Sequence, residues 1–402
     1  MKWWKKKQTP KELRPLGIYV HIPFCKKKCN YCDFLSAPAG EKEQQEYVEA
    51  LLTEIGNYRE VVSDYRVETI YFGGGTPSLL PPQQLERILA KLREVFPSLL
   101  HQPPKEQTIE VNPGTVTKEQ LYEYRRLSFD RLSIGIQSAN EDELRLLGRI
   151  HTFAEAKQCV GWAREAGFRN LSVDLISALP GQTEEAYRNT LEQILLLEPE
   201  HISSYSLIIE EGTPFYERYK EGAPEASALP GEELDRRLYA LTKSVLSAAG
   251  YERYEISNYA KPGYESRHNS AYWTGTEYLG FGLGASSLFT NERYHNEIDR
   301  TEYLRCLKEG LEIRREMERL VVAEQMEEFM ILGLRRMCGI SRAEFQTRFG
   351  CALETVYGTA LKKLEKEQLL TVSGDTVALT ERGIDVSNRV FLEFVPEEFV
   401  RR

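Results

Sequence analysis

The first half of the chain repeats a strand–loop–helix unit, and this repetition restricts the fold more than any other feature of the sequence. The candidate strands are short, rich in β-branched residues and apolar along their length, as strands covered on both faces are. They span Gly17–Phe24, Val67–Phe72, Gln107–Val111, Arg131–Gln137, Leu171–Ile176 and His201–Ile208. Helices with one apolar face lie between them, bounded by turn residues. Six such units predict an α/β fold, a complete or partial parallel barrel of the TIM type.

Polar residues and glycines collect where the predicted strands end. A parallel barrel brings the carboxyl ends of its strands to one face, and active sites form at that face. The residues that follow or close the first five strands are Cys25, Gly73-Gly74-Gly75-Thr76, Glu110 with Asn112, Gln137 and Asp174. The sequence therefore predicts a functional site at this face.

The pattern changes after the sixth strand, and we predict three regions. Residues 1–232 form the barrel, residues 233–299 form an aromatic, glycine-rich connecting segment, and residues 300–402 form a mainly helical domain. In this last domain two helices precede two short strands, Leu370–Ser373 and Thr376–Leu379, in an order typical of a winged helix. Its charge is mixed rather than basic, so we favour a packing module over a DNA-binding unit.

Composition limits the classes of partner and location. The net charge of −9 argues against general nucleic-acid binding, which needs a basic surface. The sequence contains no apolar run of about 18 residues and no signal-peptide core, so we expect a cytoplasmic location. Basic residues surround Trp3 and Trp4 in MKWWKKKQTPKELR. We interpret this segment as a solvated terminus, with contact to a membrane surface or a partner as the alternative.

Three of the seven cysteines, Cys25, Cys29 and Cys32, crowd into HIPFCKKKCNYCDF. Thiolates are soft ligands that suit zinc or iron–sulfur clusters. A structural zinc site needs four ligands, and His21 or Asp33 is the alternative source of a fourth. A ferredoxin-type cluster also uses four cysteines. Three thiolates in one loop leave one iron of a [4Fe–4S] cluster open to a small molecule, and the lysines of the loop offset the cluster's negative charge.

The C-x3-C-x2-C loop after the first strand and GGGTP after the second resemble the radical SAM superfamily. This resemblance implies that S-adenosylmethionine chelates the open iron and that an electron from the cluster cleaves its sulfonium to a 5′-deoxyadenosyl radical. The motifs YVHIPFC, FGGGTPS, IEVNPGT, SIGIQS, LGRIH and VDLISALPGQT are similar to those of the oxygen-independent coproporphyrinogen III oxidases and their relatives, over essentially the whole chain. The S-adenosylmethionine site so implied comprises Tyr19, Tyr31, Gly74, Gly75, Thr76, Glu110, Gln137, Arg149 and Asp174.

Two features separate the branches of this family. The oxidase branch has a fourth cysteine, where this chain has Phe34, and a longer N-terminal extension. The segment from His268 to Trp273 resembles the HNxxYW signature of the HemW-type haem chaperones. This resemblance implies haem as a ligand, with His268, Asn269, Tyr272 and Trp273 as candidate contacts. Imidazole is a common axial ligand of haem iron and aromatic rings can pack on a porphyrin, but the sequence leaves the axial ligand open. A histidine satisfied within the protein core is the alternative interpretation of His268.

We therefore predict a haem chaperone that binds a [4Fe–4S] cluster, S-adenosylmethionine and haem, and that delivers haem to membrane cytochromes. The second hypothesis is an oxygen-independent coproporphyrinogen III oxidase, a radical SAM oxidative decarboxylase. The third is a winged-helix regulator with an iron–sulfur sensor, which the acidic charge disfavours. The sequence identifies no catalytic residue and leaves the haem acceptor open, and relatives are consistent with a homodimer.

Overall fold

Six parallel strands form the centre of the structure, a computed structural model that describes residues 13–395. They lie side by side in chain order: β1 (Arg14–Ile22), β2 (Tyr65–Gly74), β3 (Glu106–Val111), β4 (Arg131–Gln137), β5 (Leu171–Ser177) and β6 (His201–Ser206). Each strand end lies within about three residues of its predicted position, since apolar strands bounded by turn residues are well marked in sequence. The predicted partial barrel is confirmed.

Within residues 13–395, nine α-helices connect these six strands or come next after them. They are α1 (Glu41–Gly56), α2 (Pro82–Val95), α3 (Ser98–His101), α4 (Lys118–Arg126), α5 (Glu141–Leu147), α6 (Phe153–Glu165), α7 (Glu184–Leu195), α8 (Pro214–Tyr219) and α9 (Glu232–Ala248). Side-chain caps set several helix starts: the hydroxyls of Thr117, Thr152 and Thr183 each accept a backbone N–H from the first turn of the following helix. The apolar faces of the helices then pack on the sheet in one continuous core.

The next part of the chain extends the sheet at both edges to twelve strands. Its elements are β7 (Glu252–Arg253), β8 (Asn258–Ala260), α10 (Arg267–Trp273), β9 (Tyr278–Phe281), β10 (Ser286–Phe289), β11 (Glu292–Asn296), α11 (Arg300–Glu309) and β12 (Arg314–Arg319). Strand β9 pairs parallel to β1 and continues into antiparallel β10–β12, whereas β8 and β7 pair antiparallel beyond β6. The predicted connecting segment, residues 233–299, thus contributes strands to the barrel sheet. The domain boundaries at 232 and 299 stay predictions.

The C-terminal region has a separate hydrophobic core and its own small sheet. It contains α12 (Val322–Gly333), β13 (Ile340–Ser341), α13 (Arg342–Phe349), α14 (Leu353–Lys366), β14 (Leu370–Ser373), β15 (Thr376–Leu379), α15 (Glu381–Asp385) and α16 (Ser387–Leu392). The two ribbon strands have their predicted bounds, and β13 pairs with β15 as a third strand. The prediction of a helical, winged-helix-like region is confirmed.

A buried carboxylate joins α1 to the added strands and α11. Glu54 accepts hydrogen bonds from the backbone N–H of Gly282 at 2.9 Å, from Asn296 Nδ2 at 2.7 Å and from the Tyr303 hydroxyl at 2.6 Å. Burial raises the pKa of Glu54 to about 7, although these three donors oppose the shift. Since a buried carboxylate is costly, its full set of donors ties the edge of the sheet to α1.

Residues 1–12, with Trp3, Trp4 and most of the basic segment, lie outside the described residues. Within residues 13–395, none of the helices combines the length and apolar character needed to cross a bilayer.

Candidate functional site

A cavity of about 520 Å³ opens where the parallel strands end. The carboxyl end of each of the six parallel strands, or the loop that follows it, contributes to the cavity wall, as the barrel topology requires. Twelve of the sixteen predicted binding residues line this cavity: Cys25, Cys29, Tyr31, Cys32, Gly74, Gly75, Thr76, Glu110, Gln137, Arg149, Asp174 and Asn269. Residues that are distant in sequence therefore meet at a single site.

The cysteine loop between β1 and α1 is anchored at both ends. The backbone N–H of Cys25 donates to the carbonyl of Ala37 at 3.1 Å. Farther along, Asn30 donates from its backbone to the Leu147 carbonyl at 3.0 Å and from Nδ2 to the Leu146 carbonyl at 2.8 Å. All three cysteines of the loop are free thiols and are half-buried. The loop is thus fixed against the end of α5 and presents its thiols to the cavity.

The donor set fits an iron–sulfur cluster better than a single metal ion. Within residues 13–395, no three His, Cys, Asp or Glu side chains converge so as to hold one ion. A structural zinc ion needs four convergent ligands, so the geometry does not favour the zinc alternative. His21 is already engaged, because its ring nitrogens hydrogen-bond the Tyr19 hydroxyl at 3.1 Å and the Leu35 carbonyl at 2.9 Å. Three thiols on one loop suit a cluster, whose cysteines bind separate irons.

A chain of polar contacts joins two of the cysteines through the cavity wall. Arg149 donates from Nη1 to Cys29 Sγ at 3.5 Å and from Nη2 to Asn112 Oδ1 at 2.5 Å. Asn112 Nδ2 donates to Thr76 Oγ1 at 2.8 Å, and this hydroxyl lies 3.5 Å from Cys25 Sγ. The ends of β2 and β3 and the loop after α5 are thereby fixed relative to the cysteine loop.

The glycine segment after β2 packs tightly on its surroundings. The backbone N–H of Gly74, at a φ of 111°, donates to Glu110 Oε2 at 3.2 Å, and the Tyr71 hydroxyl donates to Oε1 at 2.8 Å. A Cβ on Gly75 would lie 2.7 Å from the carbonyl oxygen of Phe24, so only glycine fits there. Burial raises the pKa of Glu110 to about 7. The segment therefore places bare backbone and a proton-binding carboxyl group at the cavity wall.

The end of β4 departs from regular strand geometry. Gln137 has a left-handed φ of 72°, and the register between β4 and β5 shifts between Gly135 and Gln137. Such a conformation is unfavourable for a residue with a side chain, and it is concentrated at functional sites. Nearby, Ser133 donates to Asp174 Oδ2 at 3.1 Å, and burial raises the pKa of that carboxyl group. The bulge aims Gln137 at the same cavity as Asp174.

Helix α10, which carries the HNxxYW motif, lies at the amino end of the barrel strands. Its first backbone N–H groups, those of Arg267 and His268, donate to the carboxylate of Glu106, the first residue of β3, at 2.9 and 3.1 Å. The cysteine loop lies beyond the opposite ends of the strands. Of the four motif residues predicted to meet haem, only Asn269 lines the cavity.

His268 is fully engaged within the protein core. Its side chain is 2% exposed, and its ring stacks on Tyr71 with 5.0 Å between centroids. Nδ1 lies 2.8 Å from Thr69 Oγ1, and Nε2 lies 2.8 Å from the Tyr272 hydroxyl. Burial lowers the pKa of His268 to about 3, so the ring is neutral at pH 7. Ligation of haem iron by His268 would require one of these hydrogen bonds to break, and it stays a prediction.

The cavity wall also contains Tyr71, Arg131 and Ser133, which were not among the predicted site residues. Three of the positions on β4, Arg131, Ser133 and Gly135, alternate as inward-facing residues of a strand do. The same alternation relates Glu110, on β3, to Asn112, which follows the strand. Counting back from each strand end in steps of two would therefore identify these inward-facing residues from the sequence. Arg131 is buried, and its Nε has no hydrogen-bond partner among the described residues.

Comparisons with known proteins identify the family of this chain. The model of the Radical SAM superfamily matches residues 19–194, and that of the HemN C-terminal domain matches residues 322–386. The protein named Heme chaperone HemW from Lactococcus lactis is 36% identical over 385 residues, which are 96% of this chain and 98% of that protein. This chain belongs to the HemW branch of the radical SAM superfamily. The Heme chaperone HemW of Bacillus subtilis is 35% identical over 382 residues, 95% of this chain and 99% of its own.

The HemW branch shares its architecture with a solved enzyme. The structure of coproporphyrinogen III oxidase (HemN) from Escherichia coli matches with a TM-score of 0.82 at 25% identity, over 95% of this chain and 90% of that one. The match includes the C-terminal region as well as the barrel. Membership of the radical SAM superfamily implies a [4Fe–4S] cluster and S-adenosylmethionine.

Proposed function

We propose that this protein is a haem chaperone that holds a [4Fe–4S] cluster on Cys25, Cys29 and Cys32, binds S-adenosylmethionine and delivers haem to membrane cytochromes. The similarity over the whole chain to proteins named Heme chaperone HemW is the observation that carries the proposal. Phe34, at the position of the oxidase branch's fourth cysteine, supports a chaperone over a decarboxylase. The cytoplasm, with peripheral contact to a membrane, is the location that this role requires.

The cavity wall supplies suitable groups for S-adenosylmethionine. A bound cluster would offer one iron without a cysteine ligand. The amino and carboxylate groups of the methionine moiety can chelate that iron. Beside that position, Gly74 and Gly75 expose backbone groups at close range. The Arg149 guanidinium suits a carboxylate, and its buried Nε has no hydrogen-bond partner among the described residues. Glu110 and Asp174 offer carboxyl groups for ligand hydroxyls and amines.

Anaerobic reconstitution tests the cluster assignment. We expect wild-type protein to take up about four iron and four sulfide per chain, the composition of a [4Fe–4S] cluster. Cys25→Ala should lose this cluster, because two remaining thiolates cannot hold it. Cys338→Ala is the matched control, since Cys338 is an exposed thiol outside the cavity. A full cluster spectrum in Cys25→Ala would show that the ligands are assigned wrongly.

Parallel haem and turnover assays separate the two functions. A chaperone should bind haem stoichiometrically and transfer it to an apocytochrome, with no decarboxylation of coproporphyrinogen III. An oxidase should form protoporphyrinogen when the reconstituted protein receives S-adenosylmethionine and a reductant. The likeness to the HemN structure is the observation behind that second function. Detection of protoporphyrinogen would overturn the chaperone proposal.

A further inference from the structure

Three exposed apolar side chains surround the opening of the cavity. Phe34 is 60% exposed on the cysteine loop, Ile150 is 45% exposed after α5, and Ile208 is 68% exposed after β6. All three line the cavity although they come from different loops. We call these three residues the mouth rim. Exposed apolar groups that converge on one opening mark a binding surface, whereas scattered ones need no explanation.

Charged side chains stand next to the mouth rim. Lys26, Lys27 and Lys28 line the cavity and are exposed. Lys26 donates to the Gly114 carbonyl at 3.3 Å, whereas the other two ammonium groups make no hydrogen bond or ion pair among the described residues. Two carboxylates, Asp33 and Glu210, also line the cavity. Two lysines thus remain available to an acidic ligand.

From the mouth rim and its lysines we infer that haem docks at the opening of the barrel, with its ring on Phe34, Ile150 and Ile208 and its propionates at Lys27 and Lys28. This inference rests on the proposed function and adds the position of the ligand. A tetrapyrrole is a flat apolar disc with carboxylates along one edge, and the opening offers these two chemistries side by side.

The position of the mouth rim also suits the transfer of haem to an acceptor protein. His268 is buried at the other end of the strands, with both ring nitrogens hydrogen-bonded. A cargo held there would be enclosed by the protein, behind Tyr71 of the cavity wall. A haem on the mouth rim keeps one face near solvent, so an apocytochrome can approach it directly.

A haem titration of the reconstituted protein tests the apolar contact. The double variant Ile150→Glu with Ile208→Glu should weaken haem binding about tenfold or more, since it removes apolar contact and places carboxylates near the propionates. Both side chains are exposed, so the fold should tolerate the change. The matched control is Leu100→Glu with Leu196→Glu, two exposed leucines that precede strands at the opposite end of the barrel. Haem retained after gel filtration, measured as pyridine haemochrome, gives the affinities.

The dimethyl ester of haem tests the lysines. Lys27→Ala with Lys28→Ala should weaken haem binding about fivefold, as two exposed ion pairs allow. The same variant should bind the ester as tightly as the wild type does, because the ester has no carboxylates. Iron and sulfide analysis checks that each variant retains its cluster.

The outcomes separate this inference from the proposed function. If wild-type protein binds no haem, the proposed function fails and the docking site fails with it. If the mouth-rim and lysine variants bind haem like the wild type while His268→Ala loses it, the docking site is wrong and the function stands. Unchanged haem affinity with lost transfer to an apocytochrome would make the mouth rim a protein-docking surface, which also overturns the inference.

Discussion

Arg149 and Asn112 are joined by a hydrogen bond of 2.5 Å from Nη2 to Oδ1, across 37 residues of sequence. Nη2 also donates to the Gly135 carbonyl at 2.7 Å, and Nη1 reaches Cys29 Sγ at 3.5 Å. One guanidinium thus connects the loop after α5 with the ends of β3 and β4 and with the cysteine loop. Arg149 positions the wall against which a cluster ligand would bind.

Arg149→Lys should weaken S-adenosylmethionine binding about tenfold, because one ammonium cannot replace the forked donors of a guanidinium. Anaerobic calorimetry of the reconstituted protein measures this change. Cluster content should stay close to that of the wild type, since the cysteines are retained. Arg145→Lys is the control: Arg145 is exposed and, among the described residues, its side chain pairs with Asp142 alone, on the surface of α5. Equal affinities in the two variants would contradict the positioning role.

The buried carboxyl group of Glu54 should make stability depend on pH. Its pKa of about 7 in the folded protein lies above its ordinary value of 4.5, so folding takes up a proton between these values. The stabilisation is complete below about pH 4.5 and is lost as the pH rises through 7. A shift of this size corresponds to about 3 kcal/mol in the free energy of unfolding.

Glu54→Gln isolates this contribution, because the amide does not titrate. As the pH rises from 4.5 to 8, we expect the free energy of unfolding of the wild type to fall by about 3 kcal/mol relative to that of the variant. Subtraction removes the effects of other buried groups, including Glu110, whose pKa burial also raises. Urea unfolding at matched cluster content gives the difference. A difference that stays constant with pH would show that the pKa of Glu54 is not shifted.

The sequence predicts the elements of the site better than their contacts. Parallel strands place their carboxyl ends together, so the positions of Cys25, Glu110 and Asp174 follow from topology alone. The orientation of His268 does not, because it depends on Thr69 and Tyr71, about 200 residues earlier on β2. A local pattern carries no information about such partners.

The local sequence pattern also fails to predict the strands at the sheet edges. Strands β7 and β8 have two and three residues; β8 is stabilised by pairing with the distant strand β6, and β7 by pairing with β8. Short segments of this kind lack the run of alternating or apolar residues that identifies a strand. Strand β12, Arg314–Arg319, is almost wholly charged and exposed, and only its pairing with β11 makes it a strand.

His268→Ala should destabilise the fold in the absence of haem. The change removes two buried hydrogen bonds and the stacking contact with Tyr71, a loss of about 3 kcal/mol. Asn269→Ala is the control, since Asn269 is only half-buried and lines the cavity. Urea unfolding of both variants without haem gives the comparison. An unchanged stability in His268→Ala would mean that the histidine is retained for a ligand rather than for the core.

Two glycine substitutions should have opposite effects. At Gly75, a Cβ would lie 2.7 Å from the carbonyl oxygen and 2.9 Å from the backbone nitrogen of Phe24. Backbone atoms cannot rotate away as a side chain can, so Gly75→Ala should displace the segment after β2 from the residue that precedes Cys25. At Gly161, inside α6, no atom lies within 4 Å of the added Cβ. Gly161→Ala should raise stability by about 1 kcal/mol, because alanine favours the helix.

Thermal unfolding and cluster content together test this pair. Gly75→Ala should lower both the melting temperature and the iron bound per chain, whereas Gly161→Ala should raise the former and leave the latter unchanged. Both measurements are needed, because a loss of iron without a loss of stability would mean that the substitution of Gly75 affects the cysteine loop alone. Full iron content in Gly75→Ala would show that the approach of Gly75 to Phe24 is not needed to hold the cysteine loop for its cluster.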